Sequence, residues 1–364
     1  MVAHRPAIVA IAVLLGGALL PGASAAKSPR HAHSHTNAHR GPPPISAQAV
    51  NDAQFSPSLK LDKPTPLMVK VEVLLDRNAI SPGQIDGKQG DNARKAIAVF
   101  QESHGLDATG KLDEATWNEL AQRANEPAIV EYQISDNDVK GPFAKTIPHD
   151  LVKMARLEHL SYTSPLELLS EKFHVDPKLL QELNPGKRFD EAGTTIFVPN
   201  VGERDTSARV AKVEVEKWNR AVRALGEHGE VIAFYPASIG SEDKPAPSGQ
   251  FKVRRVAYHP KYHYDPKFHF KGVHTTRKLT VAAGPNNPVG MVWIDLTIDS
   301  YGIHGTPDPE RIGKSYSHGC IRLTNWDALD LAKRVRRGTP VAFLDESSAP
   351  LPTNEGPGEA RGRQ

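Results

Sequence analysis

The chain holds one cysteine among 364 residues, Cys320, and places it in a run of residues suited to acyl transfer. Residues 301–328 read YGIHGTPDPERIGKSYSHGCIRLTNWDA, and His304 and His318 are each followed by glycine. A cysteine attacks a carbonyl as its thiolate, and a free thiol ionises only near pH ~8.5, so a nucleophilic Cys320 needs a base or a cation beside it. His318 shares the nucleophile's own bend. His304 closes the alternating run Met291–Ile303, read here as one strand, which can aim an imidazole; His304 is therefore assigned as general base, and the thiol is expected below its free pKa. The Gly305 carbonyl can accept the second ring N–H and fix the tautomer. Gly319 permits a tight bend that exposes its own N–H and that of Cys320 as an oxyanion hole. His318 then shapes the pocket or holds a substrate carboxylate. Arg322 is a fixed cation suited to a carboxylate, with a surface ion pair as the alternative. An inert buried thiol is the alternative for Cys320, but Ser-His-Gly-Cys does not read as a core strand.

The start of the chain bears on this. Arg5, the apolar run Ala7–Leu20, Pro21 and Ala23-Ser24-Ala25 form a secretory signal peptide, residues 1–25. The run is shorter than the ~20 residues of a membrane span, so no stable span is expected and the protein is placed in the periplasm or cell wall. Exported cysteines usually pair, and a single one cannot pair within its chain, which favours a reactive role. A formal charge of +3, from 45 basic and 42 acidic residues, gives no reason to expect nucleic acid as a partner.

Residues 26–66 are His- and Pro-rich and expected to be a disordered linker; His31, His33, His35 and His39 read as a polar spacer, with loose metal binding as the alternative. Over 67–125, Val71, Leu74 and Leu75, then Ala93, Ile97 and Phe100, then Trp117 and Leu120 behind an Asp113 cap, predict a small three-helix domain. Its IDGKQGDNARKAIAVFQESHGLDATGKLDEATWNEL resembles the peptidoglycan-binding domain family, which implies binding of wall glycan; a spacer that binds nothing is the alternative. A connector, 126–150, leads to 151–201. There two helices, carrying Leu166, Leu169 and Phe173 and then Leu179, Leu180 and Leu183, precede a strand with Ile196 and Val198. This resembles a LysM module, although Tyr162-Thr163-Ser164-Pro165 replaces that family's opening Gly-Asp-Thr.

Residues 209–345 change to strands and turns. GQFKVRRVAY, MVWIDLTID and TPVAFLD predict strands, and Asn325–Arg337 predicts a helix capped by Thr324 or Asn325 and closed by Gly338. The segment is expected to fold alone, with a disordered tail at 346–364. The histidines and aromatics of YHPKYHYDPKFHFKGVH, 258–274, read as a lid over the cleft; a zinc site lacks a completing carboxylate or second cysteine. APSGQFKV, GPNNPVGMVWIDL, IHG and SYSHGCIRL, in this order, resemble the YkuD-type L,D-transpeptidases. The resemblance implies a mainly β catalytic domain that needs no metal or cofactor, Cys320 as nucleophile, His304 as base, and Ser317, His318 and Gly319 as site residues. Ser317 and Arg322 would contact substrate, though some members carry Asn where Arg322 stands. The implied reaction is attack of Cys320 on a peptidoglycan donor stem peptide, giving a thioester that an acceptor stem or a protein amine resolves. Water as acceptor would make a carboxypeptidase or cross-link hydrolase of the same fold. A non-catalytic wall-binding protein would not need the intact His304 and Cys320 set. A thiol redox role lacks a second cysteine. A strained β-lactam should acylate Cys320, carbapenems best by resemblance.

Overall fold

The computed structural model describes residues 44–58, 61, 63–240, 245–268, 275–315 and 319–345. The expected signal peptide, the tail at 346–364, and both Ser317 and His318 lie outside these. No helix among the described residues is long and apolar enough to cross a membrane.

Ser46 caps helix α1 (Ala47–Asn51) by accepting the Ala49 N–H at 3.2 Å. This corrects the expected linker at 26–66, part of which packs: Ile45 and Val50 are buried, and Asn51 exchanges two hydrogen bonds with the backbone of Ile129, each 2.9 Å. Helices α2 (Pro66–Arg77), α3 (Asp91–Ser103) and α4 (Glu114–Gln122) follow, with Thr65 and Asp113 as side-chain caps. Their core gathers Leu67, Met68, Leu74, Ile97, Phe100, Trp117 and Leu120.

The expected connector 126–150 is also structured. It holds strand β1 (Ile129–Gln133) and helix α5 (Asp136–Lys140). After α6 (Leu151–Met154), α7 (Pro165–Lys172) and α8 (Pro177–Leu183) comes β2 (Thr195–Pro199), which pairs antiparallel with β1, Ile129 opposite Pro199. The strand escaped notice because its partner lies far along the chain. Ser164 and Asp176 cap α7 and α8, each with proline in the first turn, and Asn184 ends α8 while bonding both backbone groups of Phe197.

The remaining strands belong to residues 209–345. They are β3 (Lys212–Glu216), β4 (Ala221–Leu225), β5 (Val231–Pro236), β6 (Ser238–Ile239), β7 (Gly249–Tyr258), β8 (Tyr262–Tyr264), β9 (Leu279–Val281), β10 (Val292–Leu296), β11 (Gly302–His304), β12 (Ile321–Arg322) and, after α9 (Asn325–Arg334), β13 (Pro340–Leu344). Among the described residues nine of them form one sheet, in the order β5-β4-β3-β13-β7-β10-β11-β12-β6, and β8 and β9 make a separate hairpin. The long β7 joins the two halves, its first part pairing with β13 and its second with β10. Helix α9 covers the sheet with Ala328, Leu331 and Ala332. Thr324 is its cap, and it stops at Arg334 rather than Arg337 because Val335 turns extended (φ −98°, ψ 157°). The single strand expected over 291–303 is a hairpin, β10 and β11, turned through Ser300 at φ +66°.

Residues 209–345 have a core of their own, and one edge of their sheet also shares an interior with the helical domain. Ala221 and Phe234 of the sheet are buried among the side chains of α2–α4, and the Phe234 carbonyl accepts the Ser81 N–H at 2.9 Å. Arg204, between the second module and β3, is buried against Asp76 of α2 and against Asp327 and Asp330 of α9. The expectation that residues 209–345 fold alone therefore meets a shared interior at Ala221, Phe234 and the Arg204 cluster.

Candidate active site

Strands β11 and β12 lie side by side in parallel, Ile303 opposite Ile321 and His304 opposite Arg322. Ile294, Ile303 and Ile321 point into the core. Side chains alternate along a strand, so His304, Arg322 and Trp293, the β10 partner of His304, point to the other face. Cys320 stands just before β12, and its sulfur meets the Gly302 N–H of β11. The fold thus brings Cys320, His304, Gly305, Gly319 and Arg322 to one end of two adjacent strands.

The imidazole of His304 is 4% exposed and stacks on Trp293, ring centres 5.4 Å apart and 19° from parallel. Its Nδ1 lies 2.7 Å from the Gly305 carbonyl. A carbonyl only accepts, so Nδ1 carries the hydrogen and Nε2 keeps its lone pair. Burial lowers the pKa of His304 to about 3, and the like charge of Arg322 acts in the same direction against the weaker pull of the Gly305 carbonyl. The ring is therefore a neutral base across the working pH range.

The thiol corrects the expectation of a lowered pKa. Burial pushes it up, and the Gly302 N–H and Arg322, which both favour the thiolate, do not offset this. Sγ lies 3.6 Å from the Ser300 carbonyl, to which the thiol donates. Ser300 occupies the left-handed region, where residues with side chains are uncommon, and such strain collects at functional sites. The resting pair is thus neutral thiol and neutral imidazole, not an ion pair. Gly319 has φ +116°, and a Cβ there would come within 3.3 Å of the Tyr301 hydroxyl.

Two aromatics of the site went unnamed in the sequence. Tyr262, on the β8–β9 hairpin, has its phenol pushed up to about 12 by burial and then by Cys320, which puts it within electrostatic reach of the sulfur. Tyr262 of the aromatic segment read as a lid therefore lies near Cys320, while residues 269–274 lie outside the described ones. Trp293 was legible from alternation, since the run that turns Val292, Ile294 and Leu296 inward must turn Trp293 outward. Among the described residues no three His, Cys, Asp or Glu side chains are grouped to hold a metal ion.

Residues 212–342 match the L,D-transpeptidase catalytic domain family YkuD, and residues 66–120 match a peptidoglycan binding domain family. YkuD of Bacillus licheniformis, an L,D-transpeptidase by name, is 31% identical over 180 residues, covering 49% of this chain and 92% of that protein. YbiS of Escherichia coli K12, likewise so named, is 29% identical over 190 residues, covering 50% of this chain and 61% of that protein.

Proposed function

Since this chain belongs to the YkuD family of L,D-transpeptidase catalytic domains, we propose that it is a cysteine acyltransferase of peptidoglycan stem peptides. The observation that carries the reading is the placement of Cys320 and His304 on neighbouring strands, with the imidazole tautomer fixed by the Gly305 carbonyl. In the donor stem, Cys320 attacks the carbonyl at the L-centre of the third residue as Nε2 of His304 takes the thiol proton. The carbon–nitrogen bond to the terminal D-residue breaks, and His304 returns the proton to the leaving amine. The acceptor amine then attacks the thioester, losing its proton to His304, and Cys320 leaves to be reprotonated. The N–H groups of Gly319 and Cys320 serve the oxyanion, and Arg322, with Ser317 and His318, serves the substrate.

The domain reading belongs to the same proposal: an exported protein whose helical domain and LysM-like module hold it on the insoluble substrate and raise the effective concentration of stems at the cleft. Cross-linking, rather than attachment of a protein, is the favoured outcome because wall-binding units stand on the same chain. Intact-protein mass spectrometry tests this with a tetrapeptide muropeptide. The expected result is an adduct on Cys320 equal to the donor less its terminal D-residue, discharged by an added stem amine to a cross-linked product. Discharge to free acid at the same rate with and without amine would make the protein a hydrolase, and no adduct at all would remove the reading.

A further inference from the structure

The second module is joined to the backbone beside His304 through one buried amide, that of Asn325. Helix α7 carries Glu167 and Glu171 one turn apart, a spacing at which like charges weaken a helix. Both carboxylates are taken up by asparagines of the catalytic domain. Asn286 donates to Glu167 Oε1 at 2.8 Å, and Asn325 donates to both oxygens of Glu171 at 2.9 and 3.1 Å. The Tyr162 hydroxyl completes the shell of Glu171 at 3.2 Å.

Asn325, 1% exposed, is wedged against the backbone that holds the histidine. A Cβ at Gly305 would fall 2.2 Å from Asn325 Oδ1, and one at Gly290 would fall 2.0 Å from it, so only glycine fits beside this amide at either place. Asn325 Oδ1 also accepts the Met291 N–H at 3.1 Å, at the start of the hairpin whose second strand carries His304. Gly305 in turn supplies the carbonyl that receives His304 Nδ1–H.

We infer that Glu171 is a positioning residue for the catalytic base, fixing the Gly305 backbone through Asn325 and with it the tautomer and angle of His304. This rests on the reading of His304 as general base. The second module is then part of the working site and not only a tether: displacement of α7 leaves the Asn325 amide nitrogen with the Pro285 carbonyl at 3.2 Å and loosens its hold beside Gly305.

The test uses the full chain and a carbapenem as acylating probe. Glu171→Ala, and Glu171→Met, which keeps the bulk and secures folding, slow acylation of Cys320 by roughly three- to thirtyfold. With the tetrapeptide donor, kcat falls and KM stays. Glu171→Gln, which retains an acceptor for Asn325, recovers the rate. The ¹⁵N signal of the His304 ring, assigned by its loss in His304→Ala, passes from one tautomer to a mixture in the Ala and Met variants only. Glu167→Ala, one turn away, lowers Tm and leaves rate and tautomer alone. Unchanged rate and tautomer in the two Glu171 variants, or an equal rate loss in Glu167→Ala, overturns the inference. A wild-type protein that takes up no carbapenem while its thiol still reacts with iodoacetamide overturns the reading of the site instead.

Discussion

Arg204 and His304 are both basic and both buried, the first 6% exposed in its side chain and the second 4% exposed, yet they meet opposite surroundings. Arg204 threads among three carboxylates: it pairs with Asp76, lies 3.0 Å from Asp327 and lies 3.5 Å from Asp330. Burial works to raise the pKa of Asp76, but Arg204, helped by His174 at 3.0 Å, outweighs it and leaves the carboxyl below its usual range. Asp327, whose second oxygen has only the Ser81 hydroxyl at 2.7 Å, stays raised by the same burial. At His304 the nearest full charge is Arg322, of the same sign, so burial is reinforced and the ring stays neutral. Burial sets the default, which is neutrality, and only a facing opposite charge reverses it. The Arg204 cluster uses that reversal to fasten three segments of chain together. The cleft withholds it, and leaves the His304 ring neutral with Nε2 unprotonated.

The largest expected effect tests the cleft. His304→Ala should slow acylation of Cys320 by the order of 10²–10⁴-fold, the range for a lost general base. Carbapenem acylation followed by intact mass gives the rate, and a loss under tenfold would assign the proton to another group. The next tests the cluster. Arg204→Met leaves three buried carboxyls facing no cation from the linker and should lower the stability of the full chain by about 3–5 kcal/mol. Urea unfolding measures this; a change below about 1 kcal/mol would mean that the carboxyls protonate at little cost and that the fastening is apolar. Acylation by the folded fraction should stay near wild type, which separates the two regions.

The two regions also differ in how far they could be read from the sequence. His304, Gly305, Gly319 and Cys320 sit in short runs whose residue types suggest the chemistry, so the sequence alone proposes Cys320, His304 and Gly305 as site residues. The three helices of 67–125 and the Thr324 cap were equally local. The Arg204 cluster was not legible, because Asp76, Arg204, Asp327 and Asp330 come from three distant segments and each looks like an ordinary surface charge alone. Asp327 and Asp330 stand in the first turns of α9, where an acidic residue suits the helix end, yet they spend their oxygens on Arg204, Ser81, Tyr235 and Arg334. Strand β1 failed for the same reason: IVEYQ is short, and its pairing with Thr195–Pro199 is set by the tertiary fold. The hairpin of β10 and β11 was hidden because Ser300 turns the chain with positive φ without the glycine or asparagine that usually marks such a turn.

The smallest expected effect sharpens the comparison at the sulfur, where burial and an opposite charge act on one group inside the cleft. Cys320 is half-buried, and the desolvation of its sulfur favours the thiol, while the Gly302 N–H and the cation Arg322 favour the thiolate; desolvation prevails. Iodoacetamide alkylates only the thiolate, so its rate should follow a titration centred above the free-thiol value of ~8.5. Arg322→Gln removes the cation and keeps a polar side chain, so the midpoint should move further up. The same change takes a like charge away from His304, whose pKa should rise from about 3 toward its ordinary value. The two groups therefore shift in the same direction on one substitution, as an electrostatic cause requires. Stability carries the matching sign. A thiol that holds its proton more tightly in the folded state than in the unfolded one favours folding below pH ~8.5, and that contribution is lost as the pH climbs through the raised folded value. An alkylation midpoint below 8 in the wild type would mean that a charged partner faces the sulfur after all, and the cleft would then belong with the Arg204 cluster as a site where pairing overrides burial.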